Sequence, residues 1–406
     1  MPRSDYNPWL HRFAVTTALA TLGLIGIGGL VTSHGVGMAV PDWPTTYGYN
    51  MFFFPISEWV GGIFYEHTHR LWASMVGLLV VALTRWLGGN KSRRTLALVG
   101  VSEILAGVCV FALWPQLKGT GFFLTGIGGV VLLAAMVPAR SQPASRTLVN
   151  LGWLAFVLVQ LQGLMGGLRV VLFKDQIGII HGMIAQLFLL LLCLIALATS
   201  QMWKRLEEWK DVRVPKVVRS GLSIALVLIF LQLVVGASMR HQHAGLAVPD
   251  FPLAYGKVWP PLDDVSLERV NQQRVDSRDF KPITAFHIVL HLAHRVGALA
   301  TVAAVAVAVW RVRREMNPIP WLARLAMLWL CVILCQAALG AATVWSNKAA
   351  DITTIHVIAG AISLVLGGIL LAVTHRLHLV HESGVTLVQR SAHGKLSMSG
   401  QPASAV

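Results

Sequence analysis

Ten apolar stretches, each close to the length needed to cross a bilayer, recur along this chain of 406 residues. They lie near 13–32, 70–88, 95–114, 121–138, 147–168, 178–200, 219–238, 288–310, 322–344 and 354–374. Hydrophobic residues supply 55% of the chain and charged residues 13%, too little polar cover for a soluble protein of this size. A backbone in lipid must satisfy its own hydrogen bonds. The expected fold is therefore an all-α polytopic membrane protein with ten transmembrane helices. The stretch at 121–138 is the weakest, being short and loosened by Gly119, Gly121, Gly126, Gly128 and Gly129.

Charge sets the orientation. With a cytoplasmic N-terminus, inner segments hold 21 of the 33 Lys and Arg, and the long outer segment 33–65 holds none. The positive-inside rule then places both termini in the cytoplasm. The outer loop 257–286 carries five basic and five acidic residues and has room for a short surface helix. The formal charge of +15 is spread over alternating loops, whereas a nucleic-acid partner would need it clustered on one face. Residues 1–12 are too short and too polar for a signal peptide, so the first apolar stretch reads as a retained anchor. Cys109, Cys193, Cys331 and Cys335 all fall in apolar stretches and read as small buried packing residues, without a disulfide framework.

Two passages occur twice. Gly35-Val-Gly-Met-Ala-Val-Pro-Asp-Trp-Pro-Thr-Thr-Tyr-Gly48 returns as His243-Ala-Gly-Leu-Ala-Val-Pro-Asp-Phe-Pro-Leu-Ala-Tyr-Gly256. Each is followed by a histidine-arginine pair, Glu66-His-Thr-His69-Arg70 and then His291-Leu-Ala-His294-Arg295. A later histidine closes each half, His181 and then His356. Ordered copies of several motifs imply a duplicated unit with a site in each half. The stretches 95–114 and 121–138 have no counterpart in the second half. An inserted pair preserves direction, so the duplication is parallel, with its axis along the membrane normal. The expected plan is two four-helix bundles related by a pseudo-twofold axis, plus an inserted two-helix hairpin. The N-terminal half takes 1–90 and 141–205, and the inserted pair 91–140. A cytoplasmic linker covers 206–218, the C-terminal half 219–380, and a disordered cytoplasmic tail 384–406.

The histidines carry the chemistry. His69, His181, His294 and His356 each fall one to two turns inside the outer face, a common layer some 5–10 Å down at ~1.5 Å per residue. Polar side chains are costly in lipid and tend to mark a site. A bare zinc or copper ion would want more Cys, Asp or His ligands converging. Two histidines on opposite faces of a planar group inside a four-helix bundle is the arrangement haem needs. Arg70 and Arg295 suit pairing with haem propionates, with snorkelling as the alternative. Glu66 shares a helix face with His69, while His291 stands at its place in the second half. That asymmetry points to one reactive half and one that handles electrons. His287 shares a face with His291 and His294 and is expected to line the entrance. His67 points away from Glu66 and His69, and Glu103 reads as locally paired. The Pro-Asp-Trp-Pro and Pro-Asp-Phe-Pro loops are stiff enough to act as lids.

At these residues the chain resembles haem A synthases, the membrane enzymes of cytochrome oxidase biogenesis, over roughly 13–90 and 147–375. The resemblance implies that haem O binds near Glu66, His69 and His181 in the N-terminal half, with Arg70 beside it. It implies a haem b cofactor, an iron porphyrin, on His294 and His356 with Arg295 beside it. The implied reaction oxidises the C8 methyl of haem O to a formyl group by successive hydroxylations and loss of water, with Glu66 as the essential acid. Haem O synthase and an electron donor are the partners to expect, in a bacterial cytoplasmic (inner) membrane. Two features depart from the pattern. Some bacterial members carry a cysteine pair in the first outer loop, which this chain lacks, so a mechanism needing that pair is excluded. Two helices also exceed the usual eight. The competing readings are a non-catalytic dihaem b-type electron-transfer protein, which predicts equal roles for the halves, and a transporter, which would need polar groups at the midplane.

Overall fold

A computed structural model describes residues 6–138, 142–172, 174–273 and 282–398. Every named element among them is helical. Helix α1 (Pro8–Ser33) starts on Asn7, whose side chain accepts from the N–H groups of Trp9 and Leu10, with Pro8 in the first turn. There follow α2 (Gly61–Gly88), α3 (Arg93–Leu113), α4 (Lys118–Met136), α5 (Arg146–Leu172), α6 (Asp175–Ala198) and the short α7 (Gln201–Arg205). The rest are α8 (Lys216–His241), α9 (Asp264–Gln272), α10 (Ala285–Glu315), α11 (Pro320–Trp345) and α12 (Ala350–Met398). The surface helix with room in the second outer loop is α9, capped by Asp263.

Nine stretches of the described residues are long and apolar enough to cross a membrane, against ten read from the sequence. The difference lies at Gly61–Leu113, a single stretch of 53 residues that contains both α2 and α3. The helices meet through a 3-10 turn, Gly89–Ser92, where Gly89 takes φ +54°. Arg85 is buried at this bend and donates to the carbonyls of Gly89, Ala134 and Val137, binding the ends of α2 and α4 together. It thereby satisfies carbonyls that a helix C-terminus leaves open.

In the N-terminal part α1 packs on α2 and α6, and α5 on the same two helices. In the C-terminal part α8 packs on α10 and α12, and α11 on the same two. The parts meet where α1 and α6 touch α12 and where α6 touches α8. The C-terminal core centres on Trp329, whose indole N–H donates to the Ser363 carbonyl at 2.8 Å. The N-terminal core gathers Val76, Leu83, Leu87, Leu192 and Ile195.

The α3–α4 hairpin corrects the reading of Gly121 and Gly128 as loose, while Gly126 and Gly129 face open space. A Cβ on Gly100 would lie 2.8 Å from the Gly128 carbonyl oxygen, and one on Gly107 would lie 2.7 Å from that of Gly121. These glycines let two antiparallel backbones touch, the close packing that small residues allow in lipid. The cysteine reading is also corrected: Cys109, Cys331 and Cys335 are free and exposed on the outer faces of their helices. Lipid solvates an apolar side chain as well as a protein core does, so hydropathy alone does not tell inward from outward. Helix α12 continues through 384–398, where composition suggested an unstructured tail. No proline interrupts its hydrogen bonding there. The tail beyond 398, and loop positions 274–281, lie outside the described residues.

Candidate functional site

The two recurring passages fold into two loops built alike. Asp42 accepts from the N–H groups of Tyr47 (2.7 Å) and Gly48 (2.9 Å), and Asp250 from those of Tyr255 (2.7 Å) and Gly256 (2.8 Å). Tyr47 and Tyr255 donate their hydroxyls back to the carbonyls of Ala39 and Ala247. The bonds Trp43–Pro44 and Phe251–Pro252 are both cis. Partial burial by itself would raise the Asp42 carboxyl. The donors at Gly48, Thr45 and Tyr47 outweigh it and hold the group below its ordinary value.

Each loop is latched by the arginine that follows its histidine. Arg70 donates to the carbonyls of Asp42 (2.6 Å), Thr45 (2.9 Å) and Val40 (2.8 Å). Arg295 donates to those of Leu253 (2.9 Å), Val248 (3.3 Å) and Asp250 (2.6 Å). The expectation that these guanidiniums take propionates thus meets terminal nitrogens already committed to loop carbonyls. Glu66 belongs to the same latch. It is 4% exposed, pairs with Arg70 at 2.8 Å, and accepts from the Val40 N–H at 2.9 Å. His291, at its place in the second half, is 3% exposed and reaches the Ala244 carbonyl at 3.3 Å.

Two histidines given little weight by the sequence also hold loops and caps. His67 is fully buried beneath the first loop, 3.1 Å from the Thr46 hydroxyl and against the rings of Phe54 and Trp59. His287 forms the capping box of α10 with Thr284, an end-cap role where an entrance lining was expected.

The four layer histidines differ from these in exposure. Each of the four keeps part of its surface exposed, whereas His67 and His291 are buried. All four stand in the first third of their helices. His181 and His356 lie about 9 Å from the helix starts, His69 and His294 about 12–14 Å, at ~1.5 Å per residue. Helices α2 and α10 begin ahead of their apolar stretches, so His69 and His294 stand farther from their helix starts than His181 and His356 do. Each ring rests on a glycine of the adjacent helix. A Cβ on Gly28 would come 3.0 Å from His69 Nε2, and one on Gly236 3.0 Å from His294 Cε1. A Cβ on Gly166 would come 3.7 Å from His181, and one on Gly340 3.3 Å from His356. Gly28 and Gly236 occupy the same place in the repeat, as do Gly166 and Gly340. The sequence reading missed these seats, although the matched spacing was there to be found.

Glutamines complete the surroundings. Gln162 donates to the His181 carbonyl at 3.0 Å, and Gln336 stands 3.5 Å from His356 Nε2. Gln232 donates to the His294 carbonyl at 2.7 Å and stands 3.0 Å from its Nδ1. His69 lies within electrostatic reach of His181, and His294 of His356, which sorts the four into two couples. Nδ1 of His181 and Nδ1 of His356 are buried with no hydrogen-bond partner. No group of three or more His, Cys, Asp or Glu among the described residues could hold a bare metal ion. Two imidazoles per site with apolar walls fit a metal that brings its own in-plane ligands, as an iron porphyrin does. Glu103, finally, accepts from Gln160 at 2.6 Å, the local pairing expected of it.

The model of the COX15-CtaA family, cytochrome oxidase assembly protein, matches residues 123–367, more than half of the chain. The chain belongs to this family. His181, His294 and His356 fall inside the family match, while Glu66 and His69 precede it. A stretch of 147 residues is 31% identical to a protein named Heme A synthase from Shouchella clausii (strain KSM-K16), covering 33% of this chain and 48% of that relative. The chain thus spans about half the length of the curated relative it matches. Family and relative together bear out the resemblance to haem A synthases read from the motifs.

Proposed function

We propose that this member of the cytochrome oxidase assembly family is a haem A synthase, converting haem O to haem A in a bacterial cytoplasmic membrane. The observation that carries the reading is the pair of histidine couples on matched glycine seats, one couple in each half. In this reading the two parts are pseudo-twofold-related four-helix bundles and the chain crosses ten times, with both termini cytoplasmic. His69 and His181 would hold the substrate, and His294 and His356 would hold a haem b cofactor served by a separate electron donor. A bound haem b supplies one-electron chemistry at a potential set by its axial ligands and surroundings.

The chain's own residues do the rest. The latched loops close both sites from the outer side and exclude water. Glu66, held by Arg70 and the Val40 N–H, presents a carboxylate only in the N-terminal half. There it stabilises positive charge developing at the substrate methyl, or takes up its proton. His291 cannot supply that negative charge. The asymmetry assigns oxidation to the first half and electron delivery to the second. Methyl becomes formyl by two hydroxylations and loss of water, the oxidant coming from outside the chain.

Co-expression with a haem O producer, followed by haem extraction, tests this. Haem A or its hydroxylated precursor is the expected product. A folded, haem-loaded protein that yields neither would reject the reading. In a loaded Glu66→Gln variant, product formation is expected to fall by about 100-fold or more, the order of loss seen when one charge-stabilising group is removed.

A further inference from the structure

Two arginines that the sequence places among ordinary outer-face charges sit at the seam between the halves. A Cβ on Gly37 would lie 3.1 and 3.2 Å from the terminal nitrogens of Arg169, near the end of α5. A Cβ on Gly178 would lie 3.1 Å from its Nε. Arg240, at the end of α8, crosses to α1 and donates to the Gly29 carbonyl at 2.6 Å and the Ser33 hydroxyl at 2.7 Å. The two guanidiniums are within electrostatic reach of each other. Arg169 also reaches His69 and His181, and Arg240 reaches His356.

Among the described residues neither arginine is hydrogen-bonded or ion-paired to a carboxylate. Nε of Arg169 is buried with no partner at all. Like charges facing each other between apolar helices are unfavourable, and an anion between them removes the conflict. The repeat did not create this pair, since Thr343 stands at the place of Arg169 and Thr32 at that of Arg240. Each half contributes one cation, and both meet on the seam.

We propose that Arg169 and Arg240 form a shared carboxylate seat. Arg169 takes a propionate of the porphyrin held by His69 and His181, and Arg240 takes a propionate of the porphyrin held by His294 and His356. This rests on the proposed function and moves the anion-binding role from Arg70 and Arg295, which latch the loops. A guanidinium suits the task because its fork matches a carboxylate bidentately. The arginine pair would then neutralise a carboxylate from each porphyrin at the seam.

The test uses the purified full-length protein, stripped of haem and titrated with haem b or with its dimethyl ester, which lacks the carboxylates. Wild type is expected to bind haem at least tenfold more tightly than the ester. Arg240→Gln is expected to lose that discrimination and to lower the midpoint potential of the bound haem, since removing a positive charge favours the ferric state. Arg240→Lys restores part of both, and Arg169→Gln acts in the same way on the N-terminal site. Equal binding of haem and ester by wild type overturns the seat even if the Gln variants fail to fold. So do Gln variants with wild-type discrimination and potential. A wild-type protein that binds no haem overturns the functional reading as well, and is distinguishable from either result.

Discussion

Valine at Gly236 would drive its branched side chain into the His294 ring, which already stands 3.0 Å from where a Cβ would be. Gly236→Val is therefore expected to abolish the b-type pyridine-haemochrome signal of the purified protein, while Gly28→Val, acting on His69, leaves that signal in place. At Asp42 the sign of a pH effect follows from its lowered pKa. Its folded value lies below the unfolded value of 3.8, so its contribution is complete above that pH and is lost as pH falls through the folded value. Trp43 fluorescence should stay constant down to about pH 4 and shift below it, and Asp42→Asn should remove the acid step. At this scale the sequence was legible where a residue recurs with its chemistry, as the four histidines do. It misled where geometry decides. The histidine-arginine spacing says nothing about which carbonyls a guanidinium will reach, so Arg70 and Arg295 read as ligand-facing. Arg169 and Arg240 lie far apart in the chain and carried no signal of their meeting.

The latches explain why loops of such similar build end in different pairings. Arg70→Gln leaves the buried Glu66 carboxylate without its partner, a change that typically costs about 3–5 kcal/mol. Arg295→Gln strands no carboxylate, because His291 stands where Glu66 would be. The expected result is a clearly larger fall in thermal midpoint, in detergent, for the first variant than for the second. The inserted hairpin belongs to this scale too. Phe123 of α4 fills the space above Gly163 and stacks near Trp43, whose ring lies on Gly167 of α5. One side of the first loop thus rests on a helix with no counterpart in the second half. Gly100→Leu, which forces α3 from α4, is expected to raise Trp43 solvent exposure, read as a red shift in its emission. The helices themselves were plain in the hydropathy pattern. Their starts were less plain, because α2 begins ahead of its apolar stretch in a segment that carries Glu66, His67 and His69.

Across the whole molecule, the charge bias predicts which loops face which side. An impermeant thiol reagent should label Tyr49→Cys in intact cells and Glu208→Cys only after lysis, in a background lacking the exposed native cysteines. The opposite pattern would invert the topology. The helix contacts within each part are α1 and α5 on α2 and α6, and α8 and α11 on α10 and α12, and the contact between parts had no signature in the sequence. The membrane-spanning parts of α1, α6, α8 and α12 are predominantly apolar, so hydropathy cannot tell a seam between halves from a face toward lipid.

A seam also runs inside each half. In the first, Trp72 of α2 spreads over Gly23 of α1, while in the second Gly297 of α10 makes way for Gln232 of α8. Bulk lies on opposite sides of the two crossings, and Leu24 stands at the place that Gln232, beside His294, takes in the second half. Converting one copy toward the other therefore demands Leu24→Gln and Trp72→Gly in concert. Either step alone strands a void or a collision, so the two crossings interconvert only through paired changes.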